Sequence, residues 1–214
     1  MTRRERLLVL THIVLLVLWV LFAWGIARAE GGVLNELHPS ISGAMSYQTG
    51  GWEKSPDGHH KTTDLPWYVE ARLQWMRWKY QPTLSLEYGE GHFDFFTPQA
   101  PIQESSPKML SGYIGVTREF KHLNIFALVG QTHIWFDPKL VENTSNGSFP
   151  HKGTPEDSYL VFKVGVNKIF KASDRVSIGP EISMKIYPDR PGFERCRTFK
   201  MNYVEPMVGL RIQF

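Results

Sequence analysis

Tyr203-Val204-Glu205-Pro206-Met207-Val208-Gly209-Leu210-Arg211-Ile212-Gln213-Phe214 alternates from end to end. Val204, Pro206, Val208, Leu210, Ile212 and Phe214 share one face. Tyr203, Glu205, Met207, Gly209, Arg211 and Gln213 share the other. Successive side chains of a strand point to opposite sides, so the stretch predicts one apolar wall backed by a polar one. Such a wall suits either a soluble core or lipid. What pairs with it decides between them, because a sheet in lipid has to pair every edge.

Working back from this strand, seven more alternating stretches appear. Strand one is His38 to Gln48, with Ile41, Gly43, Met45 and Tyr47 against Ser40, Ser42, Ala44, Ser46 and Gln48. In strand two, Trp67, Val69, Ala71, Leu73 and Trp75 oppose Tyr68, Glu70, Arg72, Gln74 and Met76. In strand three, Pro82, Leu84, Leu86 and Tyr88 oppose Thr83, Ser85, Glu87 and Gly89, and the pattern fades through Gly91-His92-Phe93-Asp94. Strand four sets Leu110, Gly112, Ile114 and Val116 against Ser111, Tyr113, Gly115 and Thr117. Strand five, Asn124 to Trp135, is apolar on both faces and its sidedness is ambiguous. Strand six sets Leu160, Phe162, Val164 and Val166 against Val161, Lys163, Gly165 and Asn167. Strand seven sets Val176, Ile178, Pro180, Ile182, Met184 and Ile186 against Ser177, Gly179, Glu181, Ser183 and Lys185. Pro180 and Pro206 fall inside strands seven and eight, where local bulges are the expected remedy.

The connections alternate in length. Residues 49–64, 97–108, 137–157 and 188–198 read as long loops from their Gly, Pro, Asn, Asp and Ser content. Residues 78–81, 119–122 and 170–174 are tight turns. Eight strands joined only by hairpins predict an all-β, antiparallel up-and-down barrel with four long loops on one rim and three short turns on the other.

The chain opens Met1-Thr2-Arg3-Arg4-Glu5-Arg6, runs apolar from Leu7 to Ile26, and then reads Ala27-Arg28-Ala29. This is the layout of a secretory signal peptide cleaved after Ala29, so residues 30–214 form the barrel domain. The alternative is an uncleaved anchor, since the run approaches the ~20 residues that cross a bilayer. Residues 1–29 hold four Arg and one Glu; without them the chain has 20 basic and 20 acidic residues, so the formal net charge of +3 belongs largely to the leader. No nucleic-acid partner follows from it. Cys196 is the sole cysteine, which rules out an internal disulfide.

Three features put the polar faces inside. They hold many small residues, among them Ser42, Ala44, Gly89, Ser111, Gly115, Gly165, Gly179, Ser183 and Gly209, as a narrow filled interior requires. Their charges balance: Glu70, Glu87, Glu181 and Glu205 against Arg72, Lys163, Lys185 and Arg211. Buried charges have to be paired, so an interior ionic network that plugs the lumen is expected. Aromatics gather at strand ends, namely Trp67, Trp75, Trp78, Tyr80, Phe126, Trp135, Tyr187 and Phe214, as in interfacial belts.

Together these stretches resemble the small eight-stranded barrels of the bacterial outer membrane, of the outer-membrane protein A, X and W type, over residues 38–214. The resemblance implies a Gram-negative outer-membrane location in the cell envelope. It also implies outer-membrane lipid and the barrel assembly machinery as partners, with Phe214 as an assembly signal. Fold alone implies no chemistry.

The leading functional expectation is a non-enzymatic barrel that is structural or that takes a surface ligand through its four loops. A narrow porin-like channel for small solutes is the second. The third is an enzyme acting on lipid A. The deacylases of that kind carry a His-x-Ser pair near the outer rim. Here the pair His38-Pro39-Ser40 lies at the opposite end of strand one, so that role is not transferred. Palmitoyltransferase-type barrels use His, Asp and Ser near the outer surface. The residues placed at that rim are His92, Asp94, His133, Asp137 and Ser158. Asp57, His59, His60 and His151 match no defined metal-ligand spacing, and neither metal nor cofactor is expected.

Overall fold

The computed structural model describes residues 36–52, 61–91, 93–97, 100–105, 107–121, 123–135, 156–189, 192–193, 199–201 and 203–214. Eight strands form the barrel: β1 (Leu37–Ser46), β2 (Trp67–Trp75), β3 (Tyr80–Glu90), β4 (Lys108–Phe120), β5 (Leu123–Trp135), β6 (Glu156–Asn167), β7 (Ser177–Ile186) and β8 (Val204–Gln213). Each pairs antiparallel with the next in sequence. β8 then pairs with β1, from Ser40↔Gln213 to Ser46↔Met207, and closes the ring. The alternating strand at the C-terminal end is thus the closing strand, and no barrel edge is left open.

Alternation sets which face is which. Ile114, Ile182, Val208 and Leu210 are 57–64% exposed on the outside of the wall. Ser42, Glu70, Arg72, Thr83, Glu87, Ser111, Lys163, Lys185, Glu205 and Arg211 are buried inside it. β5, whose alternation left its sidedness open, turns Phe126, Leu128, Thr132 and Ile134 inward. Phe126 and Tyr187, expected in an interfacial belt, instead pack inside with Tyr113, Leu128 and Val161. Tyr187 follows the parity of Glu181, Ser183 and Lys185, so the continuing alternation carries it inward.

The glycines of the inner face make room for rings. A methyl group at Gly89 would lie 2.2 Å from Cε1 of Tyr68, and one at Gly165 would lie 2.5 Å from Cζ of Phe126. Large and small residues thus alternate across the narrow lumen.

The expected bulges at Pro180 and Pro206 are absent. β7 and β8 pair without a break from Ser177↔Gln213 to Ile186↔Val204. The reason is positional. The N and C=O of one residue point to the same neighbouring strand. Pro180 O accepts from Lys168 N (3.1 Å), one step beyond the end of the β6–β7 ladder at Asn167↔Glu181. Pro206 O accepts from Tyr47 N (3.2 Å), one step beyond the end of the β1–β8 ladder at Ser46↔Met207. Each missing N–H therefore falls at the end of a ladder, where one bond of the terminal pair is forgone and none within the ladder is lost.

The two rims differ as the connection lengths implied, with one correction. Described parts of the stretches read as long loops, 49–64, 97–108 and 188–198, pair as strands. Gln48–Trp52 pairs with Lys61–Asp64 and with Phe199–Met201, which in turn pairs with Gly192–Phe193. Phe93–Thr97 pairs with Ala100–Ser105. Pairing costs little once the flanking strands already hold the chain antiparallel, and this outweighs the Gly and Pro content. At the other rim, β4 and β5 meet in a two-residue turn in which Lys121 has φ 52°, the left-handed conformation that such hairpins require. In the β6–β7 connection, the Ser173 hydroxyl accepts from Val176 N (3.1 Å) and Arg175 N (3.3 Å). The leader with Ala29, the segment Asp57–His60, and His92, Asp137 and His151 lie outside the described residues.

Candidate functional site: a cross-lumen ionic network

The eight charged residues expected inside all lie within one connected cluster. Alternation brings them there. Glu70 and Arg72 are two apart on β2, Glu181 and Lys185 four apart on β7, and each pair keeps one face. Glu87 comes from β3, Lys163 from β6, and Glu205 and Arg211 from β8. None is more than 4% exposed.

Glu70 is the hub. Arg72 grips it side-on, Nε to Oε1 at 3.0 Å and Nη2 to Oε2 at 3.0 Å. Lys163 Nζ donates to its Oε2 at 2.8 Å and Arg211 Nη2 at 3.2 Å. The hydroxyls of Ser42 and Ser85 also donate to it. Glu181 accepts from Arg211 Nε at 2.5 Å and Nη2 at 3.0 Å, from Arg72 Nη2 at 3.4 Å and from Asn167 Nδ2 at 3.3 Å. Arg211 Nη1 is bound in turn by Ser40 Oγ at 2.7 Å. Lys163 Nζ continues to Glu87 Oε2 at 2.6 Å, which links this part of the cluster to the rest.

Beyond Glu87 the partners change in character. Lys185 Nζ lies 2.7 Å from Glu87 Oε1, 3.9 Å from Glu205 Oε2 and 3.4 Å from the centroid of the Tyr68 ring. The first two are charge contacts without hydrogen-bond alignment; the last is a cation–π contact. Glu205 draws its hydrogen bonds from neutral hydroxyls: Tyr68 at 2.5 Å, Tyr187 at 3.2 Å, and Ser46. Tyr113 donates to Glu87 at 3.1 Å. Arg72 Nη1 has no hydrogen-bond partner, but its guanidinium carbon sits 4.0 Å over the Phe126 ring.

Two of these contacts join strands that face each other across the ring. Lys163 on β6 reaches Glu70 on β2, and Lys185 on β7 reaches Glu87 on β3. In an eight-membered ring, strands four apart are diametrically opposed, so the charged side chains span the full lumen. Four carboxylates and four cations in such contact neutralise one another, which is the condition for keeping charge away from water.

Tyr68, Tyr113 and the serines of this network were legible as polar-face residues and Tyr187 was not, and for none of them was the role as donor legible. Alternation marks a face; it does not say which residues on different strands share a height. The rim residues fare differently. His133 Nδ1 and Ser158 Oγ lie 2.9 Å apart and the His133 ring centroid is 5.6 Å from that of Trp135. Both side chains follow the outward parity of Val129 and Leu160, so the pair faces away from the lumen. His38 and Ser40 stand at the opposite end of the barrel, with Ser40 turned inward to Arg211. Phe214 is half-buried and its N–H donates to Pro39 O at 3.0 Å.

No protein-family model matches the sequence, and no curated protein sequence does. Solved structures of similar shape do match. Ail, the attachment invasion locus protein of Yersinia pestis, has a TM-score of 0.44 at 14% identity over 84% of this chain and 99% of its own. Neisserial surface protein A has 0.48 at 9% identity over 83% and 96%. The outer membrane protein OprG of Pseudomonas aeruginosa has 0.46 at 10% identity over 83% and 95%.

Proposed function

We propose that the chain is an outer-membrane β-barrel with a closed lumen that acts as a structural or surface-interaction protein through its long-loop rim. The supporting observation is the inversion of the wall: large apolar side chains outside, and a neutralised charged network bridging the inside. A soluble barrel gains nothing from exposing Ile114, Ile182, Val208 and Leu210, whereas lipid solvates them. An eight-stranded ring leaves space for side chains and little more, and here those side chains meet across it.

Conductance in a planar bilayer tests the closed lumen. The expected result is no steady current at moderate voltage. A stable, ion-selective conductance would instead favour the narrow-channel reading, with the same charges lining the path.

One observation favours a second reading, a lipid-modifying enzyme. His133 and Ser158 are within hydrogen-bonding reach on the outer face, near the rim where a lipid ester would lie. Lipid A from cells expressing the wild type and Ser158→Ala, compared by mass spectrometry, decides it. A serine-dependent change in acyl pattern supports this reading and identical spectra remove it.

A further inference from the structure

The balanced charge of residues 30–214 hides a polarity along the barrel axis. Residues 36–39, 76–80, 118–123, 168–176 and 213–214 make up the short-turn rim and hold seven Lys and Arg against three Asp and Glu. Two of the three acids are already engaged, Glu36 with Arg77 at 4.0 Å and Asp174 with Lys171 at 2.7 Å. Residues 47–66, 91–108, 136–157 and 187–203, the long connections, hold nine basic residues against eleven acidic. The short-turn rim is therefore the cationic end.

Two of its cations are mounted on the outer face of the wall. Arg118 follows the outward parity of Ile114 and Val116, and Lys168 that of Leu160 and Phe162. Arg118 is clamped. Its guanidinium carbon lies 4.3 Å from the Phe120 ring centroid and 5.1 Å from that of Tyr80, and Nη1 donates to Tyr80 Oη at 2.9 Å. Lys168 Nζ lies 5.1 Å from the Phe170 centroid. Tyr80, Phe120 and Phe170 are 42–54% exposed, so each cation sits beside an aromatic ring at the boundary of the apolar band. A guanidinium has five N–H donors in a planar fork. Rings stacked on its faces fix its orientation and leave the donors at its edge, where a phosphate binds side-on.

We propose that this rim is a binding site for the phosphate of anionic glycerophospholipids, with Arg118 as its central contact and Lys168 as a second. The inference rests on the membrane-barrel reading, because only there does the Arg118 face meet a lipid headgroup. An anionic headgroup gains from the whole rim charge, whereas a zwitterionic one carries its own compensating cation.

The test uses the folded full-length barrel in detergent micelles with an equimolar mixture of dimyristoyl phosphatidylglycerol and phosphatidylcholine. Native mass spectrometry counts retained lipids. Gel mobility without heating reports barrel folding in the same samples. The wild type should retain phosphatidylglycerol in preference, and high salt should weaken that preference. Arg118→Gln should lower it by about fivefold, as expected for one charge near a lipid surface, and Lys168→Gln should lower it further. A folded wild type that retains both lipids equally overturns the proposal and leaves the barrel reading intact, and so does an Arg118→Gln protein with unchanged preference. A wild type that is monomeric and soluble without detergent overturns the barrel reading and this proposal with it.

Discussion

Arg211 shows what a single interior residue does in this barrel. Its guanidinium donates to two carboxylates and two serines on three other strands, its ring neighbours β1 and β7 and, beyond β1, β2. Arg211→Met would leave Glu181 with only its longer contact to Arg72 and would take one of three cations from Glu70, both carboxylates being buried. The expected loss is about 3–5 kcal/mol, as for a buried pair that loses one partner. The urea midpoint of the folded barrel in lipid vesicles would register it, and an unchanged midpoint would show that the lumen admits water. Gly89→Ala acts through shape instead. The new methyl would fall on the Tyr68 ring, whose hydroxyl serves Glu205. A cost of about 1–3 kcal/mol is expected from such overpacking. Combining it with Tyr68→Ala should cost less than the two changes added separately, because the clash then disappears.

At the scale of the strand, the four prolines in β1, β3, β7 and β8 follow one rule. Pro39, like Pro180 and Pro206, presents its carbonyl to a residue just outside a ladder: Phe214 N donates to Pro39 O at 3.0 Å beyond Ser40↔Gln213. Pro82 likewise stands one step beyond the β2–β3 ladder, which stops at Gln74↔Thr83. The wall therefore keeps the hydrogen bonds within each ladder while proline marks where a neighbouring strand stops. Pro206→Val should change stability by no more than about 0.5 kcal/mol. Val208→Pro, two residues on, lies opposite both Met45 and Ile182 and removes a donor that the closed wall needs. Gel mobility of unheated samples should show a folded band for the first variant and none for the second. Folded Val208→Pro protein would break the rule.

For the molecule as a whole, topology and charge give the two ends different characters. One end carries long connections with added strand pairing; the other carries short turns and a surplus of cations. With the long connections outside the cell, trypsin added to intact cells should cut at Lys139 or Lys152 in the longest of them and leave the barrel strands whole. Cleavage that appears only after the outer membrane is opened would invert the orientation. The inversion of inside and outside also explains how the wall tolerates so much polar burial. The charged side chains inside meet partners of opposite sign across the ring, while the outer face is apolar, as a wall set in hydrocarbon has to be.

Period-two alternation was enough to place eight strands, their order and the polar face of seven of them, because in a pleated strand the side of each residue follows from its parity alone. The balance of Glu70, Glu87, Glu181 and Glu205 with Arg72, Lys163, Lys185 and Arg211 was legible for the same reason. β5 was not, since both its faces are apolar and parity has nothing to separate. Tyr187 and Phe126 were misplaced because position near a strand end suggested a belt; the parity of strand seven sends Tyr187 into the lumen, and for Phe126 the closed ring decides it. The strands inside the long connections were hidden by their Gly and Pro content. Which charge meets which was beyond the sequence altogether. That depends on the heights at which eight tilted strands bring their residues together, and only the closed ring sets Lys163 against Glu70 and Lys185 against Glu87 across the lumen.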